Sequence, residues 1–233
     1  MVYARSVGNR TLTFGVSGLL VRNSLVMYDH ETGSLWSHLT GRALAGPMAG
    51  EHLQLLASTQ ASWAAWRRVH PDSLLLEFDR ALLGDPYGPY YRSPKLGVDR
   101  DQTDFVVDPR LGPKEKVIGL RLAGRVKAYS LAALAKQKVV NDLVGGIPLV
   151  IVFDGASESG AVFRRDPAGA VLRFRPGPAP LDMVDEETGS RWDGLGGQAV
   201  LGPMRDTALQ QIPITYGFWF AWSDVYPETD LFA

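Results

Sequence analysis

Two stretches of this chain match each other without a gap, and that limits the fold more than any other feature of the sequence. Residues 27–77 align on residues 183–233 at a constant offset of 156, with 22 identities in 51 positions. The shared skeleton runs from Asp29, Glu31, Thr32, Gly33, Ser34 and Trp36 (matched by Asp185, Glu187, Thr188, Gly189, Ser190 and Trp192) to Pro71 and Pro227. Between them Gly46-Pro47-Met48 repeats as Gly202-Pro203-Met204, and Trp63 and Trp66 repeat as Trp219 and Trp222. Upstream the match resumes at an offset of 160, Leu12 and Phe14 against Leu172 and Phe174. A long internal period is the mark of duplicated structural units. Lys116, carried back by 160, falls about 44 positions ahead of Met1. The expectation is therefore that Met1 is not the natural start of the folding unit, or else that an open sheet edge is covered by homodimerisation. The division expected is a first repeat at 1–77 lacking its opening segment, a connector at 78–115 rich in Pro, Gly, Tyr and Asp, and a complete repeat at 116–233.

Turn chemistry and periodicity give an α+β chain dominated by antiparallel hairpins, arranged with pseudo-twofold repetition. Residues 2–7 and 11–14 flank Gly8-Asn9, residues 25–28 and 35–39 flank a turn, and residues 116–128 fold back at Ala123-Gly124. Trp63, Trp66 and Val69 stand three apart, which predicts a short helix over 61–69. Ser130 is placed to cap a helix over 131–136, and residues 148–153 read as a buried strand.

The stretch from Leu12 to Trp36, L-T-F-G-V-S-G-L-L-V-R-N-S-L-V-M-Y-D-H-E-T-G-S-L-W, resembles a bacterial and archaeal family of unknown function, domain-of-unknown-function family 3179. Residues 139–146 (V-V-N-D-L-V-G-G) and 185–190 (D-E-E-T-G-S) are similar to the same family. The resemblance implies a segment like 116–153 ahead of each hairpin block, the first ending in a Cys-Pro motif. Here the first block has no such segment, and residues 153–160 carry no cysteine. The family lends an architecture and a location, not a reaction.

The two repeats act as controls for each other. Asp29 is kept as Asp185, but the loop before it differs: Ser17, Arg22, Asn23 and Ser24 face only the Pro/Gly stretch 175–180. Unusual polar loops on rigid β scaffolds carry function, and a guanidinium beside hydroxyl and amide groups suits a carboxylate or phosphate. The candidate ligand site is Ser17, Arg22, Asn23, Ser24, Tyr28 and Asp29, and the partner implied is a small anion. The competing reading pairs Arg22 with Asp29 or Glu31 and spends the Ser and Asn groups on turn backbone. The repeated Glu-Thr-Gly-Ser-x-Trp reads as turn chemistry with a core Trp, and the four Trp of the two helices as core anchors, with an exposed Trp platform for sugars as the weaker alternative.

Other chemistry finds little footing. A net charge of −1 with interspersed signs gives no basic stripe for nucleic acid. Zero cysteines remove disulfides, thiolate zinc and a Cys nucleophile. No apolar run reaches the length of a bilayer span, and residues 1–5 are not followed by a signal-peptide core. His30, His38, His52 and His70 have no convincing third ligand, so neither metal nor cofactor is expected. Gly15-Val16-Ser17-Gly18 lacks the last glycine of a nucleophile elbow. Two functions stay open: a ligand-binding or catalytic site in the first-repeat loop, and a non-catalytic interaction module descended from an active duplicated ancestor. The loop favours the first; the absent cysteines and opening segment favour the second.

Overall fold

The computed structural model describes residues 1–22, 24–76, 87–96 and 108–233. The chain is β-rich and mainly antiparallel, with four short α-helices among the described residues. The N-terminal sheet is a meander of Phe14–Val21, Ser24–Asp29, Leu35–Ser37 and Ala43–Ala45. The C-terminal sheet has the same order: Phe174–Pro176, Asp182–Asp185, Arg191–Asp193 and Ala199–Leu201. Each sheet shifts register at its tryptophan, between Leu35 and Trp36 and between Arg191 and Trp192.

Two further sheets accompany these, and only the first lies wholly between them in sequence. Val139–Val144, Ile147–Asp154 and Ser159–Arg164 form an antiparallel trio. Its central strand is apolar on both faces, as a strand covered on both sides must be. Leu149, Ile151 and Phe153 join one core with Ile118, Leu120, Tyr129 and Leu134, while Val150 and Val152 join another with Phe163, Phe174, Met183 and Trp192. The second sheet orders Thr215–Phe218, Lys116–Leu122, Arg125–Ser130 and Asp230–Phe232 side by side. Its last pair is parallel, Lys127 to Asp230 through Tyr129 to Phe232.

Local signals place these elements. The hairpin at Ala123-Gly124 turns with both residues at positive φ (48° and 74°), the geometry that matches strand twist in a two-residue loop. The Ser130 hydroxyl accepts from the Ala133 N–H and opens the helix Leu131–Gln137. The hairpin at Gly8-Asn9 forms, although only Ser6–Val7 and Arg10–Thr11 pair across it; Val2–Tyr3 pairs instead with Leu55–Leu56.

One expectation fails. Trp219 and Trp222 are core anchors at 0% and 2% exposure, and helix Trp219–Val225 buries four residues. Helix Trp63–Val69 buries none, and Trp63 is 39% exposed. Ala65 and Val69 of that helix, with Ala61 before it, lean on the C-terminal core around Phe163 and Trp192, which leaves Trp63 outward and Trp66 half-buried.

Candidate functional site

The hairpin Phe14–Val21/Ser24–Asp29 carries the residues expected to bind a ligand. Phe14 lies opposite Asp29 and Val21 opposite Ser24, with the ladder interrupted between Val16 and Leu20. Ser17 sits in that bulge. Its hydroxyl donates to the Val26 carbonyl at 2.5 Å and accepts from the Leu19 N–H at 3.1 Å, repairing backbone bonds that the bulge leaves open. Gly18 beside it takes φ +78°, a conformation glycine adopts without strain.

Asp29 is fully buried at the other end of the hairpin. Its carboxylate accepts from the Trp36 Nε1–H at 2.8 Å, the Thr32 hydroxyl at 2.9 Å and the Thr32 N–H at 2.5 Å. Burial works to raise this carboxyl, but those donors, with the Ser34 N–H, outweigh it and hold the group below its ordinary value. Asp185 makes the same bonds: 2.8 Å from Trp192, 2.7 Å from the Thr188 hydroxyl and 2.6 Å from the Thr188 N–H. Ser34 and Ser190 each accept from the N–H of a methionine fourteen residues on, Met48 and Met204. Phe14 and Phe174 meet the two tryptophans edge-on at 5.7 and 5.6 Å. Glu-Thr-Gly-Ser-x-Trp is thus a folding motif that positions a core tryptophan. Tyr28 lies across Gly15, where a Cβ would fall 2.6 Å from the ring, and 4.9 Å from the His30 ring.

Arg22 stands apart from both. It turns the hairpin at φ 47°, in the left-handed region where a non-glycine residue costs about 1 kcal/mol. Its Nη1 donates to the Asp224 carbonyl at 2.6 Å and reaches the Asp224 carboxylate at 3.4 Å. That carbonyl lies in the last turn of helix Trp219–Val225, where a cation answers unpaired carbonyls. The partner is thus neither Asp29 nor Glu31. Ser24 and Asp29 are five residues apart on one strand, roughly 17 Å at strand rise. The expected residues therefore divide: Asp29 and Tyr28 at one end, Ser17 in the bulge, Arg22 and Ser24 at the other end. Asn23 lies outside the described residues.

Arg22 and Ser24 border a concavity of about 410 Å³ together with Ser37, Thr40, Arg42 and Asp224. The Ser37 hydroxyl accepts from the Thr40 N–H, and the Thr40 hydroxyl from the Arg42 N–H, so this loop holds its own shape. The Arg42 side chain is exposed there. Sequence reasoning passed over Arg42 and Thr40, though the contrast that picked out Arg22 was available: their matches 156 residues on are Gln198 and Gly196. A larger concavity of about 540 Å³, bordered by Gln60, Tyr91, Lys114, Lys116 and Tyr216, is chemically less open. Lys114 already donates to the Tyr90 and Ser93 carbonyls, and Lys116 is paired with Glu158 at 2.6 Å.

Among the described residues no helix is long and apolar enough to cross a membrane. No curated protein and no solved structure matches the chain. The motifs that run from the first hairpin to the last helix agree with a family model described as protein of unknown function (DUF3179), which matches residues 1–229, and the chain belongs to that family.

Proposed function

We propose that the chain binds a small anion, a carboxylate or phosphate, in the concavity between the N-terminal sheet and the end of helix Trp219–Val225. The observation that carries this reading is the pair of guanidinium groups, Arg22 and Arg42, bordering one concavity with Ser24, Ser37 and Thr40 and a single carboxylate, Asp224. Arg22 is held at the turn in a strained conformation that glycine or asparagine would adopt more easily, and such strain collects at functional sites. An arriving anion competes with a loose 3.4 Å ion pair, whose Arg22 side is 60% exposed and which is worth about 0–1 kcal/mol, and with the hydrogen bond to the Asp224 carbonyl. Asp29 and Tyr28 are placed outside the ligand set and given to folding.

The matched bonds around Asp29 and Asp185 support a second part of this reading. The chain is two related units, 1–77 and 116–233, joined by 78–115, in pseudo-twofold relation, and only the first unit keeps the arginine-bearing loop.

The test is a thermal-shift and calorimetric screen of phosphate, citrate and short dicarboxylates. A ligand present at a hundred times its Kd stabilises by about 2.7 kcal/mol, which raises Tm by roughly 5–10 °C in a chain of this size. Arg42→Ala is expected to melt as wild type does and to lose that shift. Absence of any shift in wild type, or an unaltered shift in both Arg42→Ala and Arg22→Ala, would refute the site.

A further inference from the structure

A small anion fills little of the concavity that Arg22 and Arg42 border. Phosphate or acetate takes the space of roughly two or three waters, at about 30 Å³ each. The concavity holds about 410 Å³, and its remaining wall is Val21, Leu39, Leu44, Val225 and Pro227. Leu39 is buried, while Val21 and Leu44 are 36% and 43% exposed. An apolar wall with a few placed polar groups is the usual makeup of a small-molecule site.

The sheet sets the two kinds of wall side by side. Arg42 and Leu44 are two residues apart and face one side at roughly 7 Å, while Ala43 between them turns into the core. The hydroxyl of buried Ser37 accepts from the Thr40 N–H, and the Thr40 hydroxyl accepts from the Arg42 N–H. Each keeps its own O–H to donate, which suits an acceptor oxygen on the ligand. Two guanidiniums against the one carboxylate of Asp224 leave a single positive charge in excess, the match of a monoanion.

The matching junction of the C-terminal half has another chemistry. There Arg68, which aligns with Asp224, donates to the Pro180 carbonyl at 2.8 Å. Ser37, Thr40 and Arg42 are answered by Asp193, Gly196 and Gln198. The Asp193 carboxylate accepts from the Leu195 and Gly196 N–H groups at 3.3 and 2.7 Å. A carboxylate thus stands where the first junction has a hydroxyl donor, and it repels an anion.

On the basis of the anion reading, which it requires, we propose that the ligand is a monocarboxylate with an unbranched apolar tail of medium length. Arg22 and Arg42 hold the carboxylate, and the tail lies against Val21, Leu39 and Leu44.

The test is an amide-shift titration of the chain with acetate, butanoate, hexanoate and octanoate, with phosphate beside them. Each added methylene is expected to tighten binding by about two- to fourfold. Octylamine, with the same tail and the opposite charge, is expected not to bind. Arg42→Ala should weaken every acid alike. Leu44→Asn, at an exposed position, should weaken octanoate at least about fivefold more than it weakens acetate. Equal affinities along the series, with acetate still bound, overturn the tail and leave the anion site standing. Equal weakening of acetate and octanoate in Leu44→Asn overturns the tail as well. Octylamine binding as tightly as octanoate overturns the monocarboxylate. If no acid binds the proposal falls, and phosphate decides whether the anion site falls with it.

Discussion

Helices Trp63–Val69 and Trp219–Val225 have the same tryptophan spacing and the same closing turn, yet one buries no residue and the other buries four. The difference separates what a segment specifies for itself from what its neighbours supply. Spacing and the hydroxyl seven residues beyond the second tryptophan fix helix and turn locally. Burial requires a partner, and only the second helix has the hairpin with Gly119 beneath it. The turn motifs teach the converse. Asp29 and Asp185 close the same bonds on Trp36 and Trp192, and both tryptophans are fully buried, because each motif brings its own packing.

The largest expected effect falls where the two halves agree. Trp36→Ala and Trp192→Ala each remove a fully buried ring, a loss of about 3–5 kcal/mol. Each also strips a donor from a buried carboxylate, which adds to the cost. Urea unfolding of the two variants should give comparable losses. A loss near zero in either one would break the equivalence of the two motifs.

The next effect falls where the halves differ. Trp222→Ala is expected to cost about 3–5 kcal/mol, and Trp66→Ala, on a helix that buries no residue, no more than about 1 kcal/mol. Equal losses would mean that the first helix is as well packed as the second.

Much of this was legible in the sequence. The turns at Gly8-Asn9 and Ala123-Gly124, the Ser130 cap and the Trp-x-x-Trp helices are local, and each is found at its predicted place. Exposure of Trp63 was not legible, because identical helical spacing says nothing about which neighbour lies opposite. Nor was the Asp224 partner of Arg22, which is 202 residues away. Contrast between the repeats picks out the residues of one hairpin, but neighbours in sequence on a strand are spread along the sheet. Asp29 and Arg22 are close in sequence and lie at opposite ends of one hairpin.

A smaller effect concerns acid. Asp29 is held below its ordinary carboxyl value, so in the window below about pH 4 the unfolded chain takes up the proton more readily than the folded one. The stability that Asp29 contributes is complete above that window and is lost as pH falls through the folded value. Asp108, Asp142, Asp154 and Asp166 are lowered as well, so the wild-type slope alone assigns nothing to Asp29. Asp29→Asn isolates it. That variant should start less stable at pH 7 and lose less than wild type between pH 5 and pH 3, as followed by urea midpoints. Parallel curves would mean that the Asp29 bonds do not depend on its charge.

The smallest effect is expected at the hairpin turn that only the N-terminal half possesses. Arg22→Gly removes a guanidinium that is itself 60% exposed, and with it the 3.4 Å ion pair to Asp224 and the bond to the Asp224 carbonyl, a loss of about 1 kcal/mol. It also relieves a left-handed residue, a gain of about 1 kcal/mol. The two nearly cancel, so Tm should stay within a few degrees of wild type. The matching stretch of the C-terminal half, Arg175 to Pro180, has no turn arginine, and its sheet forms without one. A fold that does not need the arginine leaves anion binding as the property that Arg22→Gly should change. Calorimetric titration with phosphate or citrate then separates the roles: lost binding at unchanged Tm assigns Arg22 to the ligand. A fall in Tm of more than about 5 °C would assign it to holding the hairpin against the end of helix Trp219–Val225.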